Sequence, residues 1–320
     1  MSTTSIVATI AVFIFIVIFV LIAVYSIEDH LINRVKIAVA RRRKARYLRI
    51  SHVGKSSIPA TIKTLTSLRA LDLDDAGISE LPPEIFHLSN LQLLSLNGNS
   101  LKTLPPELAN LTSLSELLLE HNHFKTLPKE LGNLTALKTL NMANNQLESL
   151  TPDLGNLTSL RNLHLEGNKL TALPEQISRL SALVELNLND NRLEVLPKEI
   201  GRLGNLTKLY LEGNRLTSLP PEIKGMKSLQ KFDVSCNKLT EIPPEMGELP
   251  VLEKLYLSVN ALSSLPRTLS SAPKLDYIDL AGNHLKIPEK LYNAKAPVLL
   301  AHLSKKQPPA AEAPPAIVED

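Results

Sequence analysis

Residues 160–177 read LRNLHLEGNKLTALPEQI, and this spacing of leucines, one asparagine and one Leu-Pro pair returns every 23 residues. A spacing kept without insertion or deletion indicates a stack of equivalent supersecondary units. The 320-residue chain therefore holds one elongated repeat domain rather than two compact ones. The asparagine position of the repeat is occupied in ten successive units by Ala76, Asn99, Asn122, Asn145, Asn168, Asn191, Asn214, Asn237, Asn260 and Asn283.

The leucines predict a short strand and an interior shared between units. Leu163 and Leu165 are separated by one residue, so both side chains point to the same face of a strand. A buried aliphatic side chain contributes roughly 1.5–3 kcal/mol, whereas ordering one backbone residue costs ~1–2 kcal/mol, so a unit is stable only when it shares its faces with its neighbours. The sequence therefore predicts an α/β solenoid with a parallel sheet of about eleven short strands on its concave side. Short helices or 3₁₀ turns are expected on the convex side.

The asparagine and the proline of each unit are predicted to be structural. The asparagine lies where the strand bends away, and its amide can satisfy backbone donors and acceptors of adjacent turns. The Leu-Pro pair, as in Leu173-Pro174, is expected to open the convex segment within the first helical turn, where the missing N–H is not needed. In the unit that contains Leu150-Thr151-Pro152, the proline is displaced by one residue while the register is kept.

The repeat and the composition of its flanks divide the chain into five segments. The first repeat is degenerate, and the apolar residues Val298, Leu299, Leu300 and Leu303 are expected to cover the last turn. The predicted segments are an N-terminal anchor at 1–27, a basic juxtamembrane segment at 28–47, the repeats at 48–291, a C-terminal cap at 292–304 and a Pro/Ala-rich disordered tail at 305–320.

Residues 6–25 are uncharged, with Thr9 as their polar member. A helix of this length spans ~30 Å, the thickness of the hydrocarbon core of a bilayer. A cleaved signal peptide is the alternative, but no Lys or Arg precedes the apolar stretch, and the stretch exceeds the usual 7–15 residues of such a peptide. The sequence therefore predicts one N-terminal transmembrane helix.

Basic residues follow the predicted anchor, and residues 28–47 carry a net charge of +5 while the rest of the chain carries −2. The positive-inside rule then places the repeats in the cytosol. Each basic residue near an anionic leaflet contributes ~1 kcal/mol to binding, and Ile32, Val35 and Val39 share one helical face, which favours a short interfacial helix. Because the charge is local, it does not indicate nucleic-acid binding, and nuclear localisation is the weaker reading. The predicted membrane-surface residues are Arg34, Lys36, Arg41, Arg42, Arg43, Lys44 and Arg46.

No catalytic motif is present in the sequence. His121 and His123 flank the structural Asn122 and should point in different directions, so a shared metal ion is not expected. The single cysteine, Cys236, rules out a disulfide framework, favours a reducing compartment and is interpreted as inert. We therefore expect no enzyme activity, no cofactor, no metal and no small-molecule substrate.

The predicted binding surface is the concave side, where strand residues between the leucines face solvent. Exposed tyrosines with alternating charge are typical of protein interfaces. The alternative is that any concave face carries polar side chains, whose alignment between units follows from the repeat alone. The residues predicted to bind a protein partner are His164, Glu166, Lys208, Tyr210, Glu212, Lys231, Asp233, Lys254, Tyr256, Tyr277 and Asp279.

The unit L-x-x-L-x-L-x-x-N-x-L-x-x-L-P-x-x-I, seen at 183–200 and 206–223, resembles the intracellular leucine-rich repeats of Ras-pathway scaffolds, Ras-suppressor proteins, polarity scaffolds and plant Ras-group repeats. The resemblance covers about residues 48–291. It implies a leucine-rich repeat horseshoe that acts as a non-enzymatic adaptor in signal transduction and binds small GTPases, phosphatases or other signalling proteins. The chain differs from these families in its anchor and in lacking a PDZ domain. A cell-surface receptor with extracellular repeats and an adaptor of an organelle outer membrane are the alternatives.

Overall fold

The computed structural model describes residues 31–51, 58–286, 288 and 295–306. Eleven strands of three residues form one parallel sheet in which each strand pairs with its sequence neighbours, as predicted. Every pairing shifts by 23 residues, so equivalent positions of successive units lie side by side. The strands are β1 Tyr47–Arg49, β2 Ala70–Asp72, β3 Leu93–Ser95, β4 Glu116–Leu118, β5 Thr139–Asn141, β6 Asn162–His164, β7 Glu185–Asn187, β8 Lys208–Tyr210, β9 Lys231–Asp233, β10 Lys254–Tyr256 and β11 Tyr277–Asp279.

Successive strands are connected through 3₁₀ helices of five residues, which confirms the short helical segments predicted for the opposite side. Three residues per turn suit a segment that must cross between units within a few residues. In the described part of the chain these helices are η1 Ala60–Thr64, η2 Pro83–His87, η3 Pro106–Asn110, η4 Lys129–Asn133, η5 Pro152–Asn156, η6 Glu175–Arg179, η7 Lys198–Arg202, η8 Pro221–Gly225, η9 Pro244–Glu248 and η10 Arg267–Ser271.

The proline of the Leu-Pro pair precedes the helical turn instead of lying within it. Pro174 is the N-cap of η6 with φ −68° and ψ 146°, and its carbonyl accepts a hydrogen bond from the Ile177 N–H at 3.0 Å. In units with a single proline after the leucine, the proline thus lies one residue before the first helical turn. The prediction of a proline within that turn was wrong for these units. In the displaced unit Thr151 is the N-cap, its hydroxyl accepts from the Asp153 N–H at 3.3 Å, and Pro152 occupies the first turn.

The asparagine of each unit joins two turns, as predicted. Asn168 is buried, and its amide donates to the carbonyls of Met142 and Leu165, both at 2.9 Å. Its Oδ1 accepts from the Leu147 N–H at 2.9 Å, so one side chain satisfies backbone groups of its own turn and of the preceding turn. The same bonding recurs at the other asparagines of the series, for example at Asn191.

The residue before the asparagine position of each unit, which Ala76 occupies in one unit, adopts a left-handed backbone conformation that the repeat pattern does not predict. The φ angles lie between +52° and +69°. Glycine, asparagine and aspartate accept this conformation readily, whereas a β-branched residue such as Val259 is an outlier there. The ten positions are Asp75, Gly98, His121, Asn144, Gly167, Asp190, Gly213, Cys236, Val259 and Gly282.

One continuous apolar core runs through the solenoid and is closed at both ends by α-helices. Residues 31–42 form α1, whose Ile37 and Ala40 join the core, so part of the predicted juxtamembrane segment belongs to the folded unit. At the other end α2, Ala296–Lys306, buries Leu299 and Leu300. The expectation for Val298 was wrong, because its side chain is 56 % exposed on another face of the same helix.

Among the described residues, no helix is both long enough and apolar enough to cross a bilayer. The predicted anchor at 6–25 lies outside those residues, as does the tail beyond residue 306. The anchor therefore stays a prediction from the sequence.

A substitution where two 3₁₀ helices are in close contact tests how tightly successive units stack. A Cβ on Gly201 in η7 would overlap the carbonyl oxygen of Glu222 in η8, so Gly201→Ala is expected to lower the free energy of unfolding by roughly 1–3 kcal/mol. Gly204→Ala is the matched control, because its added Cβ would meet the Gly225 oxygen at 3.9 Å, an ordinary contact. Thermal and urea unfolding, followed by circular dichroism, compare the two variants. Equal stability of both would contradict tight packing at Gly201.

Candidate protein-binding surface

Three tyrosines and a lysine on four neighbouring strands form a contiguous cluster on the concave face. Lys231 on β9 lies diagonally between two rings, with its Nζ 4.7 Å from the Tyr210 ring centroid and 5.1 Å from that of Tyr256. The Tyr256 and Tyr277 rings are tilted by 48° with centroids 5.2 Å apart. We call Tyr210, Lys231, Tyr256 and Tyr277 the aromatic patch.

The aromatic patch holds its own side chains in place. Cation–π contacts at exposed sites contribute about 0.5–1 kcal/mol, and a pair of aromatic rings contributes about 0.5–1.5 kcal/mol beyond burial. Tyr210, Lys231 and Tyr256 are half-buried, while Tyr277 is 43 % exposed. A partner would therefore meet rings that are already ordered, which reduces the entropy lost on binding.

A column of lysines runs along one side of the aromatic patch. Lys208, Lys231 and Lys254 occupy equivalent positions of three paired strands. Lys208 donates to Glu185 Oε2 at 3.0 Å, and this hydrogen bond, with the attraction of the carboxylate, raises the pKa of Lys208. The column thus presents positive charge to any partner that contacts the rings.

Carboxylates occupy the other side of the aromatic patch. Asp233 and Asp279 alternate with the tyrosines at equivalent strand positions. Burial raises the pKa of Glu212, and the charges of Asp233 and Asp190 raise it further. The concave face therefore changes from basic to acidic across the width of the strands, with Tyr210 and Tyr256 in the column of the aspartates and Tyr277 in the column of the lysines.

Burial and the same acidic neighbours both raise the pKa of the Cys236 thiol. Its side chain is exposed, but burial raises the pKa of the thiol, with Glu212, Asp233 and Asp190 adding to the shift. A thiol that stays protonated is a poor nucleophile and a poor metal ligand. This environment agrees with the interpretation of Cys236 as inert.

Two of the predicted binding residues lie apart from the aromatic patch. His164 and Glu166 belong to the unit of β6, and β7 separates that unit from Tyr210 on β8. In the described part of the molecule, Glu166 Oε2 is buried without a hydrogen-bond partner. The structure thus assembles nine of the eleven predicted residues in adjacent units and leaves His164 and Glu166 separate, although each remains on the concave side.

Near β4, the polar contacts of His121 and two asparagines centre on the carboxylate of Glu120. Asn141 and Asn144 both donate to Glu120 at 3.2 Å, and His121 Nε2 lies 3.4 Å from Glu120 Oε1. Within the described ranges, no group of three His, Cys, Asp or Glu side chains could hold a metal ion. This cluster acts as a polar contact between turns.

The predicted membrane-surface residues lie on α1 and in the turn that follows it. All of them are exposed except Lys36, which is half-buried. On α1 the exposed apolar residues Leu31, Ile32, Val35 and Val39 lie opposite the buried Asn33, Ile37 and Ala40. The prediction of a helix with an exposed Ile32, Val35 and Val39 face agrees with this geometry.

The repeats are matched by two family models. One, described as a leucine-rich repeat region, matches residues 33–153 and 144–238, and the other, described as a leucine rich repeat, matches residues 227–285. The chain belongs to the leucine-rich repeat family. Folds of this family are typically non-enzymatic, protein-binding scaffolds. A comparison with curated proteins finds no match.

Solved structures with similar folds include bacterial and plant proteins. A leucine-rich repeat protein of Leptospira interrogans is 35% identical, with a TM-score of 0.63 over 80% of this chain and 72% of that one. The ectodomain of the receptor kinase GASSHO1/SCHENGEN3 of Arabidopsis thaliana, in complex with Casparian strip integrity factor 2, is 29% identical, with a TM-score of 0.52 over 73% of this chain and 35% of that one. A chain in an octameric complex of latrophilin 3, Unc5D and the FLRT2 repeats is 25% identical, with a TM-score of 0.60 over 69% and 70%.

Proposed function

We propose that this chain is a membrane-anchored leucine-rich repeat adaptor that captures a protein partner on the aromatic patch. The observation that carries the proposal is the cluster on four adjacent strands in which Lys231 contacts the rings of Tyr210 and Tyr256, and Tyr277 packs on Tyr256. Tyrosine gives a large contact area and a hydrogen-bonding group at low entropic cost, and it is enriched where alanine substitution weakens binding most. Residues at the equivalent positions of earlier strands, such as Asn141 and Asn187, form no such cluster in the described structure.

The charge pattern defines the surface that a partner must present. A partner must present acidic groups where it meets the column of lysines. It must present basic groups where it meets Asp233 and Glu212. Such complementarity sets orientation and association rate more than affinity. Small GTPases and phosphatases are the partner classes that the resemblance to Ras-pathway repeats implies, and we carry them as candidates. Affinity capture with the full chain and its Tyr210/Tyr256 variant tests the proposal.

The cytosolic, single-pass location is part of the proposal and rests on the sequence. The uncharged stretch at 6–25 is followed by basic residues and preceded by none, and the positive-inside rule then places the repeats in the cytosol. The alternative is a receptor-like protein with extracellular repeats. It is favoured by the similarity to the Arabidopsis receptor ectodomain, which was solved in complex with Casparian strip integrity factor 2.

Four Asn-Leu-Thr sequons separate the cytosolic and extracellular alternatives. All four asparagines, Asn110, Asn133, Asn156 and Asn205, are exposed, so a lumenal glycosylation machinery would reach them. We expect endoglycosidase treatment of the protein made in eukaryotic cells to leave its electrophoretic mobility unchanged. A secreted version of the repeats serves as a positive control for glycosylation. A mobility shift of the full chain would assign the repeats to the extracellular side.

A further inference from the structure

A basic groove of about 480 Å³ lies between α1 and η1, at the end of the solenoid nearest the predicted anchor. Arg34, Arg41 and Arg42 supply guanidinium groups, and Thr61 and Thr64 supply hydroxyls from η1. No carboxylate is among the described residues that line it. Guanidinium groups bind phosphate oxygens through paired N–H donors, so the lining suits a phosphate group.

The apolar face of α1 indicates where such a phosphate would be found. Leu31, Val35 and Val39 are 59 %, 55 % and 44 % exposed, although their helix packs firmly against the repeats through its opposite face. An amphipathic helix with an apolar face between basic flanks lies in the interface of a bilayer. Arg34, Arg41 and Arg42 of the same helix line the groove, so a bilayer that contacts the apolar face would bring its headgroups close to the groove.

The basic residues of α1 and of the turn after it are not equivalent. Arg34 and Arg41 are seven residues apart, about two helical turns, and both line the groove against η1. Lys36 on α1 and Arg43 in the turn after it are also seven residues apart, but neither of them lines the groove. The chain thus offers two pairs with equal charge and equal spacing, of which one faces the groove.

We propose that this groove binds the phosphate of an anionic phospholipid headgroup while Leu31, Ile32, Val35 and Val39 contact the bilayer interface. The inference rests on the membrane location proposed above but not on any protein partner of the aromatic patch. Since α1 is also the N-terminal cap of the core, binding would fix the solenoid to the bilayer through a folded element and not only through a linker.

Hydrogen exchange on the full chain tests the proposal, with nanodiscs of phosphatidylcholine alone or mixed with phosphatidylglycerol. We expect phosphatidylglycerol to slow amide exchange at 31–42 and 60–64 by roughly tenfold. The Arg34→Gln/Arg41→Gln pair should abolish this protection, whereas Lys36→Gln/Arg43→Gln should retain most of it. Thermal unfolding of both variants controls for loss of the cap.

Any of three other results would overturn the proposal. If both double variants lose the protection from exchange equally, the basic residues bind the bilayer diffusely and not through the groove. If inorganic phosphate gives the same protection in phosphatidylcholine discs, the groove is a site for free anions. No protection in any disc would exclude a headgroup site. Co-elution of the chain with phosphatidylcholine discs reports on the anchor separately, so a failure of the anchor is distinguished from a failure of the groove.

Discussion

Replacing Tyr210 and Tyr256 together with alanine is expected to weaken partner binding by roughly 1,000-fold, with the fold unchanged. Tyrosines at the centre of an interface contribute about 2 kcal/mol or more each, and every 1.4 kcal/mol is a factor of ten in affinity. Both rings contact Lys231, so their removal also frees that lysine to adopt other rotamers. The measurement is affinity capture from solubilised membranes, followed by titration of the captured partner.

Two variants make this expectation specific. Asn141→Ala/Asn187→Ala changes two residues at the equivalent strand positions of β5 and β7, outside the aromatic patch, and should retain binding. Tyr210→Phe/Tyr256→Phe keeps the rings and should cost much less than the alanine pair. Undiminished capture by the alanine pair, with the same thermal unfolding temperature as wild type, would remove the aromatic patch as the binding site.

The largest expected effect on stability is that of Asn168→Ala, a loss of about 2–4 kcal/mol in the free energy of unfolding. The substitution leaves the Leu147 N–H without a partner. It also removes one of the two asparagine amides that donate to each of the carbonyls of Met142 and Leu165, which keep Asn145 and Asn191 as donors. The unpaired N–H costs about 1–3 kcal/mol, each lost hydrogen bond to a carbonyl adds about 0.5–1.5 kcal/mol, and partial entry of water reduces the sum. Because units of a solenoid are stabilised by their neighbours, the loss should appear as local opening of the central turns.

Chemical denaturation and hydrogen exchange of the full chain measure this loss. Asn156→Ala is the control, since Asn156 is exposed at the end of η5 and should change stability by less than about 0.5 kcal/mol. Asn168→Asp keeps the acceptor for Leu147 but removes both donors and buries a charge, so it should also be strongly destabilising. If Asn168→Ala and Asn156→Ala unfold alike, the asparagine series does not hold the turns together.

The sequence was sufficient for the solenoid because a strict spacing leaves few alternatives. A 23-residue register places Leu163 and Leu165 in equivalent positions of every turn, and the parallel pairing of all strands follows from it. The role of the asparagines was also predictable, because an amide at a bend is the side chain that can both donate and accept. The tyrosines were found for the same reason: they fall between the strand leucines.

Other features depend on geometry that the repeat pattern does not encode. The diagonal contacts of Lys231 depend on side-chain torsion angles, and the left-handed conformation before each asparagine is shared by residues as different as Gly213, Cys236 and Val259. The groove at α1 pairs the basic helix with Thr61 and Thr64, which look ordinary in the sequence. The exposed Val298 shows that an apolar run beyond the repeats does not specify which face is covered.

The order of the strands also sets the distance between the aromatic patch and α1. Parallel strands are spaced ~4.8 Å apart, so β8 to β11 lie roughly 35–50 Å along the sheet from β1, the strand beside α1. If α1 lies on a membrane, the aromatic patch is held at a nearly constant height determined by the number of intervening units. A partner must then reach that height to be captured, and deletion or duplication of one 23-residue unit would change the reach by one strand spacing.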